Sequence, residues 1–151
     1  MARKSWLAVA GVVVALVSLA LFISACGGSE EAPAETAAEA TIVDVRLSEF
    51  KVSLSAGTAP AGTVTFRLMN DGAVVHNFRV IRTDLAADEL PVDEAAFTVD
   101  EDQVDVLASG SDLDASAEEE ITADLAAGSY VLICNIPTHY DAGMHTTFTV
   151  E

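Results

Sequence analysis

From Thr41 onward the sequence predicts an all-β sandwich, on three observations. Apolar residues recur there with a period of two, the runs are short, and clusters of Gly, Asn and Asp fall between them. The chain has 151 residues with 7 Lys+Arg against 24 Asp+Glu, a formal charge of −17, yet 51% of it is hydrophobic. That charge excludes nucleic acid and an anionic membrane surface as electrostatic partners. The wealth of β-branched and apolar residues excludes full disorder.

Ahead of the predicted sandwich lies a separate segment. Arg3 and Lys4 precede Leu7 to Ile23, 17 residues without a charge, which reads as an export signal. An uncleaved membrane helix is the alternative, since the run is just long enough. Ile23-Ser24-Ala25-Cys26 favours the first reading, because it resembles the lipobox of bacterial lipoprotein signals, in which the Cys is lipidated and becomes the new N-terminus. Either way the basic start stays inside and the remainder lies outside the cytoplasm. Gly27 to Ala40 has four Glu, no aromatic residue and no strand pattern, so it reads as a flexible acidic spacer, with a helical spacer as the lesser alternative. The expected organisation is a lipoprotein signal peptide over 1–25, a lipidated Cys and linker over 26–40, and a folded domain over 41–151.

Within the domain, Val43, Val45 and Leu47 share one face, and Phe50, Val52 and Leu54 resume the alternation one residue out of phase. That slip at Ser48-Glu49 predicts a bulge or a strand break. Ser55 to Gly62, with Pro60, reads as a turn. Val64, Phe66 and Leu68 form the next strand, closed by Asn70-Asp71-Gly72. Val74, His76, Phe78 and Val80 are expected to share a face in the strand after it. Between Asp84 and Glu120 the pattern weakens, and 14 acidic residues occur with no basic one. This stretch is expected to be a solvated insertion, with Leu85 to Leu90 and Asp93 to Phe97 as candidate helical turns. Ile121, Ala123 and Leu125 lead to a turn at Ala126-Ala127-Gly128. Tyr130, Leu132 and Cys134 alternate with the equally apolar Val131 and Ile133, which predicts a strand buried on both sides. Met144, Thr146, Phe148 and Val150 end the chain in phase.

With Cys26 lipidated, Cys134 is the only cysteine left, so no internal bridge can form. Alone it would read as an inert buried thiol. Its neighbours add a second reading. Cys134, His139 and Met144 follow a C-x4-H-x4-M spacing across one hairpin loop, and so gather a thiolate, an imidazole and a thioether. Thiolate and thioether suit Cu(I) and imidazole suits Cu(II), whereas zinc does not select Met. A trigonal site of one Cys and two His with a weak axial Met needs a second His. A lone inward His is ordinarily a satisfied core residue, but His76 has the orientation to complete this set. His145 points opposite to Met144 on an extended strand and is expected to be a bystander.

Asn70-Asp71-Gly72-Ala73-Val74-Val75-His76-Asn77-Phe78, taken with Tyr130 to Val150, resembles the cupredoxins, the type 1 blue copper proteins. The loop spacing, with Ile136-Pro137 before His139, is closer to the rusticyanin and sulfocyanin type than to short-loop plastocyanins. The resemblance implies a Greek-key β-sandwich over 41–151, one type 1 copper, the ligands His76, Cys134, His139 and Met144, and a role for Asn77 in locking the two ligand loops together. Related loops often carry Gly where this chain has Thr138, so the loop backbone is the point of departure.

The expected function is a membrane-tethered, extracytoplasmic carrier of single electrons between redox proteins, monomeric and not an enzyme. The rival is copper delivery or buffering with the same ligands. Nitrite reductases and multicopper oxidases need further His ligands, and a binuclear copper centre needs two Cys. Ile136, Pro137 and Ala142 are candidates for an apolar docking patch around His139, or else simply pack the loop. Without leader and spacer the domain holds 5 basic and 20 acidic residues, a charge of −15. Most of that acid is expected in the insertion, away from the copper loop, where it would steer basic partners.

Overall fold

The computed structural model describes residues 40–151. The signal peptide assigned to 1–25, the lipidation of Cys26 and the linker before Ala40 lie outside the described residues. The domain is a two-sheet β-sandwich, as the period of two predicts. One sheet has the order β2 (Lys51–Leu54), β1 (Thr41–Ser48), β4 (Gly62–Asn70), β9 (Glu118–Leu125). The other has the order β3 (Thr58–Ala59), β11 (His145–Val150), β10 (Gly128–Ile133), β5 (Arg79–Arg82), β8 (Asp105–Ser109). The sheets are mixed: β1 runs parallel to β4 and β3 parallel to β11, and the other pairs are antiparallel.

The alternating residues meet between the sheets. Val43 stands opposite Phe66 and Val45 opposite Leu68, and all four are buried. From the opposite side, Phe78, just before β5, and Phe148 of β11 bring their rings to 5.5 and 5.6 Å from Phe66. On the outer face of the first sheet the same register pairs Arg67 with Glu120 and Thr63 with Asp124. Those exposed polar contacts add little stability, so the apolar interior holds the sandwich.

The structure settles one expectation, corrects a second and refines a third. The slip at Ser48-Glu49 is a strand break and not a bulge, since β1 ends at Ser48 and β2 begins at Lys51. Ser48 pairs with Lys51, and Glu49-Phe50 form the two-residue turn of an antiparallel hairpin. Val74 does not share the inward face of His76, being 45% exposed. The segment there is irregular, with His76 making an isolated bridge to Leu113 and β5 starting only at Arg79. The Asp84 to Glu120 stretch, finally, is mostly exposed, as a solvated insertion should be, but it is also tied into the sheets. It contributes β6 (Val92–Asp93) and β7 (Thr98–Val99), which pair with each other, and the edge strand β8. Leu85 to Leu90 and Glu94 to Phe97 are non-helical turns and bends, and the one helical piece among the described residues is a 3-10 turn at Glu101–Gln103, capped by Asp100.

Leu90 and Val99 from this stretch pack with Ile81, Val131, Ile133 and Tyr140 in a second apolar cluster outside the sandwich. Its position explains why β10 is apolar at every residue after Ser129. Tyr130 and Leu132 face the central core together with Cys134 just beyond the strand, while Val131 and Ile133 face the insertion.

Candidate metal centre

Cys134 lies just past the end of β10, and Met144 immediately precedes β11. The loop between them folds on its own backbone: Ala142 donates to the carbonyl of Thr138, Gly143 to that of Tyr140, and Met144 to that of His139. Cys134 N–H closes the hairpin on the Met144 carbonyl at 3.0 Å. Gly143 has φ 100°, open only to residues without Cβ strain. Thr138 also stands at a positive φ, 72°. The loop therefore adopts at Thr138 the left-handed turn that glycine would serve, against the steric preference of a β-branched residue.

His76 arrives from the opposite sheet connection. Its backbone exchanges two hydrogen bonds with Leu113. Asn70 fixes the approach: its side-chain amide donates to the carbonyls of Val74 and Leu113, and its oxygen accepts from Gly72 N–H. Asn77 then joins the two ligand-bearing segments. Its backbone N–H points at Cys134 Sγ (3.4 Å), its side-chain oxygen accepts from Asn135 N–H (2.7 Å), and its amide donates to Asp112.

The result is a triangle of donors. His76 Nδ1 lies 3.2 Å from His139 Nδ1, and Cys134 Sγ lies 3.4 Å from His139 Nδ1 and 3.8 Å from His76 Nδ1. With bonds as long as those to zinc, about 2.0 Å from nitrogen and about 2.3 Å from sulfur, three donors around one ion stand about 3.5 Å apart. One ion can thus touch all three atoms. Two imidazoles and a thiol are the donor chemistry of copper. Met144 is fully buried and is tied through its backbone to both Cys134 and His139.

The electrostatics suit a metal. Burial pushes His76 and His139 below the ordinary imidazole range, and His139 lowers His76 further. Burial raises the Cys134 thiol, opposed by backbone N–H groups of Ile136 and Asn77 and by the Arg79 guanidinium. The imidazoles are therefore held neutral with lone pairs available, and a metal must displace the thiol proton. His76, Cys134 and Met144 are fully buried, whereas His139 is 9% exposed. His145 stays outside the triangle, with its ring 5.1 Å from that of Tyr140.

The acid-rich insertion is not remote from this loop, contrary to expectation. Asn135 accepts from Val99 N–H and donates to the Val99 carbonyl and to Glu101. Thr138 N–H donates to the carbonyl of Phe97, itself left-handed at φ 57°. Tyr140 hydroxyl donates to Ala87 and accepts from Leu90. Arg79 binds Glu101 at 2.8 Å as well as the carbonyls of Phe78 and Gly110.

Sequence reasoning missed four residues at the site. Asn70 and Asn135 are buried polar side chains at strand ends, and Asn70 is in phase with Val64, Phe66 and Leu68, which is its signal. Glu49 and Phe50 form the tip of the β1–β2 turn, where the sequence shows only a slip of phase between Ser48-Glu49 and Phe50. Phe50 stands edge-on to His139 at 5.4 Å and is 46% exposed. Of the candidate docking residues, Pro137 and Ala142 are exposed and Ile136 is half-buried.

Residues 38–151 match the family model described as copper binding proteins, plastocyanin/azurin family. No curated protein matches the chain. Among solved structures, dithionite-reduced auracyanin from the photosynthetic bacterium Roseiflexus castenholzii is similar at 25% identity and TM-score 0.55, covering 74% of this chain and 98% of its own. Auracyanin B is similar at 27% identity and TM-score 0.56, over 74% and 89% of the two chains. Reduced rusticyanin shares the fold at 20% identity and TM-score 0.51, over 74% and 81%.

Proposed function

The chain belongs to the plastocyanin/azurin family of copper-binding proteins, and on that premise we propose that it carries single electrons through one type 1 copper held by His76, Cys134, His139 and Met144. The observation that carries this reading is the buried triangle of two imidazole Nδ1 atoms and one thiol sulfur. Bound copper supplies a one-electron couple between Cu(II) and Cu(I). The protein's part is to hold the donors still. Cys134 gives up its proton and offers a thiolate, anchored by Asn77 N–H. Asn77 and Asn70 keep the two ligand-bearing segments in place, so few atoms need move when the charge changes. Burial excludes water from three of the four side chains. His139, partly exposed beside Phe50, Pro137 and Ala142, is the route by which an electron reaches a partner.

The partners are redox proteins, approached through the apolar surface around His139, with the acidic flank on the insertion side steering cationic faces toward it. The domain works as a monomer, lipid-anchored through Cys26 on the outer side of a bacterial membrane, with 26–40 as its tether. It is a carrier and not an enzyme. Copper delivery would use the same donors, but their burial favours retention over exchange.

A redox titration of the copper-loaded domain, paired with a chelator challenge, tests the reading. A reversible one-electron transition with copper kept in both states is expected. Rapid loss of copper to the chelator in either state would replace electron transfer by delivery.

A further inference from the structure

The imidazole of His76 has two nitrogens, and only Nδ1 belongs to the donor triangle. Nε2 is buried and has no hydrogen-bond partner, the one such side-chain atom among the described residues. When Nδ1 engages a metal, Nε2 must carry the ring proton, so it becomes a buried donor. An unmatched buried donor is costly, and metal-bound imidazoles almost always give this proton to a carboxylate, a carbonyl or water.

Gly72 lies beside that nitrogen. A Cβ placed there would stand 2.9 Å from His76 Nε2, 2.8 Å from Glu49 Oε1 and 3.1 Å from Asn70 Oδ1. Glu49 Oε1 and His76 Nε2 are therefore no further apart than the sum of the first two distances, and both border the space that a side chain at Gly72 would fill. The same Glu49 oxygen accepts the backbone N–H groups of Ala73 and, at 3.1 Å, Val74. The carboxylate thus clasps the loop that carries His76. Backbone N–H groups, first its own and then that of Ala73, hold its pKa below the usual carboxylate range. Asn70 Oδ1 is the other oxygen nearby, but it is uncharged and already accepts from Gly72 N–H.

We propose that Glu49 is a positioning residue for His76: it holds the Gly72–Val75 segment closed, accepts the Nε2 hydrogen once Nδ1 is bound to copper, and favours the more positive copper state. This deepens the copper-carrier reading and rests on it. An anion beside a ligand stabilises Cu(II) over Cu(I), so its removal raises the potential.

The test compares copper-loaded wild type, Glu49→Gln, Glu49→Ala and Asp124→Asn. The last makes the same charge change at the far end of β9, beside Thr63. Glu49→Gln should keep the visible copper–thiolate band and shift the reduction equilibrium toward Cu(I) about tenfold, or about 59 mV for one electron. Asp124→Asn should shift it much less. In the metal-free protein, Glu49→Ala should speed amide exchange at Ala73 and Val74. In the Cu(I) protein, a protected His76 Nε2–H resonance should be present in wild type and lost in Glu49→Ala. A Glu49→Gln shift no larger than that of Asp124→Asn, or unchanged exchange at Ala73 and Val74, overturns the proposal while leaving the copper reading intact. Wild type that forms no thiolate band defeats both.

Discussion

The two apolar clusters of this domain touch the same strand and were built by different means. The central cluster is assembled from alternating residues on facing sheets, with Phe66 between Phe78 and Phe148. The outer cluster takes Ile81, Val131 and Ile133 from the back of the second sheet and covers them with Leu90, Val99 and Tyr140. The first makes a sandwich. The second seats an irregular, acid-rich segment against the metal loop, through the Tyr140 hydroxyl, the Asn135 side chain and the Thr138 backbone N–H. Cys134 follows directly on the strand that both clusters share, and its side chain packs in the central one.

The comparison breaks most visibly in the central cluster. Phe66→Ala should cost about 3–5 kcal/mol and lower the unfolding midpoint of metal-free and copper forms alike, as denaturant titration would measure. Leu90→Ala, in the outer cluster, should cost about 2–5 kcal/mol, toward the low end because the cluster borders solvent. Its distinctive effect is faster copper loss to a chelator, which Phe66→Ala should show only in proportion to its lost stability. Unchanged copper release in Leu90→Ala would mean that the insertion does not brace the loop. Tyr140→Phe keeps the ring and removes the hydroxyl that serves Leu90 N–H and the Ala87 carbonyl. It should cost about 1–3 kcal/mol and raise amide exchange at Leu90 without altering exchange in β1 or β4.

The smallest effect belongs to the junction of the two regions. Thr138 and Phe97, linked by a hydrogen bond, both sit at positive φ. Thr138→Gly should relieve strain of about 1–2 kcal/mol against a glycine entropy cost of about 0.5–1 kcal/mol. A gain of about 1 kcal/mol or less is expected by thermal unfolding, and a clear loss would show that the Thr138 side chain contributes a contact worth more than the strain.

The same division decides what could be read in advance. Strands such as β1, β4 and β10 are legible because one residue in two must be apolar where two sheets meet. The group of three donors is legible because Cys134 and His139 fall in one short loop, and His76 follows from a recognisable neighbouring segment. Double burial of β10 was visible in Val131 and Ile133, but its cause was not. Leu90 and Val99 are isolated apolar residues in an acidic stretch, and no periodicity marks residues that cover a sheet from outside. Glu49-Phe50 misled for a related reason. A phase slip says that the chain turns without saying that the turn tip reaches the second His loop and His139. Cys26 and the leader lie outside the described residues and remain expectations from the sequence.

The central claim is that His76, Cys134 and His139 converge on copper while His145 does not. Its most direct test is the visible spectrum on adding Cu(II) to purified wild type, Cys134→Ser, His76→Ala and His145→Ala. The account predicts an intense blue thiolate-to-copper band in wild type and His145→Ala, its absence in Cys134→Ser, and its loss or strong perturbation in His76→Ala. A colourless wild type, or a band abolished by His145→Ala and untouched by His76→Ala, would contradict it.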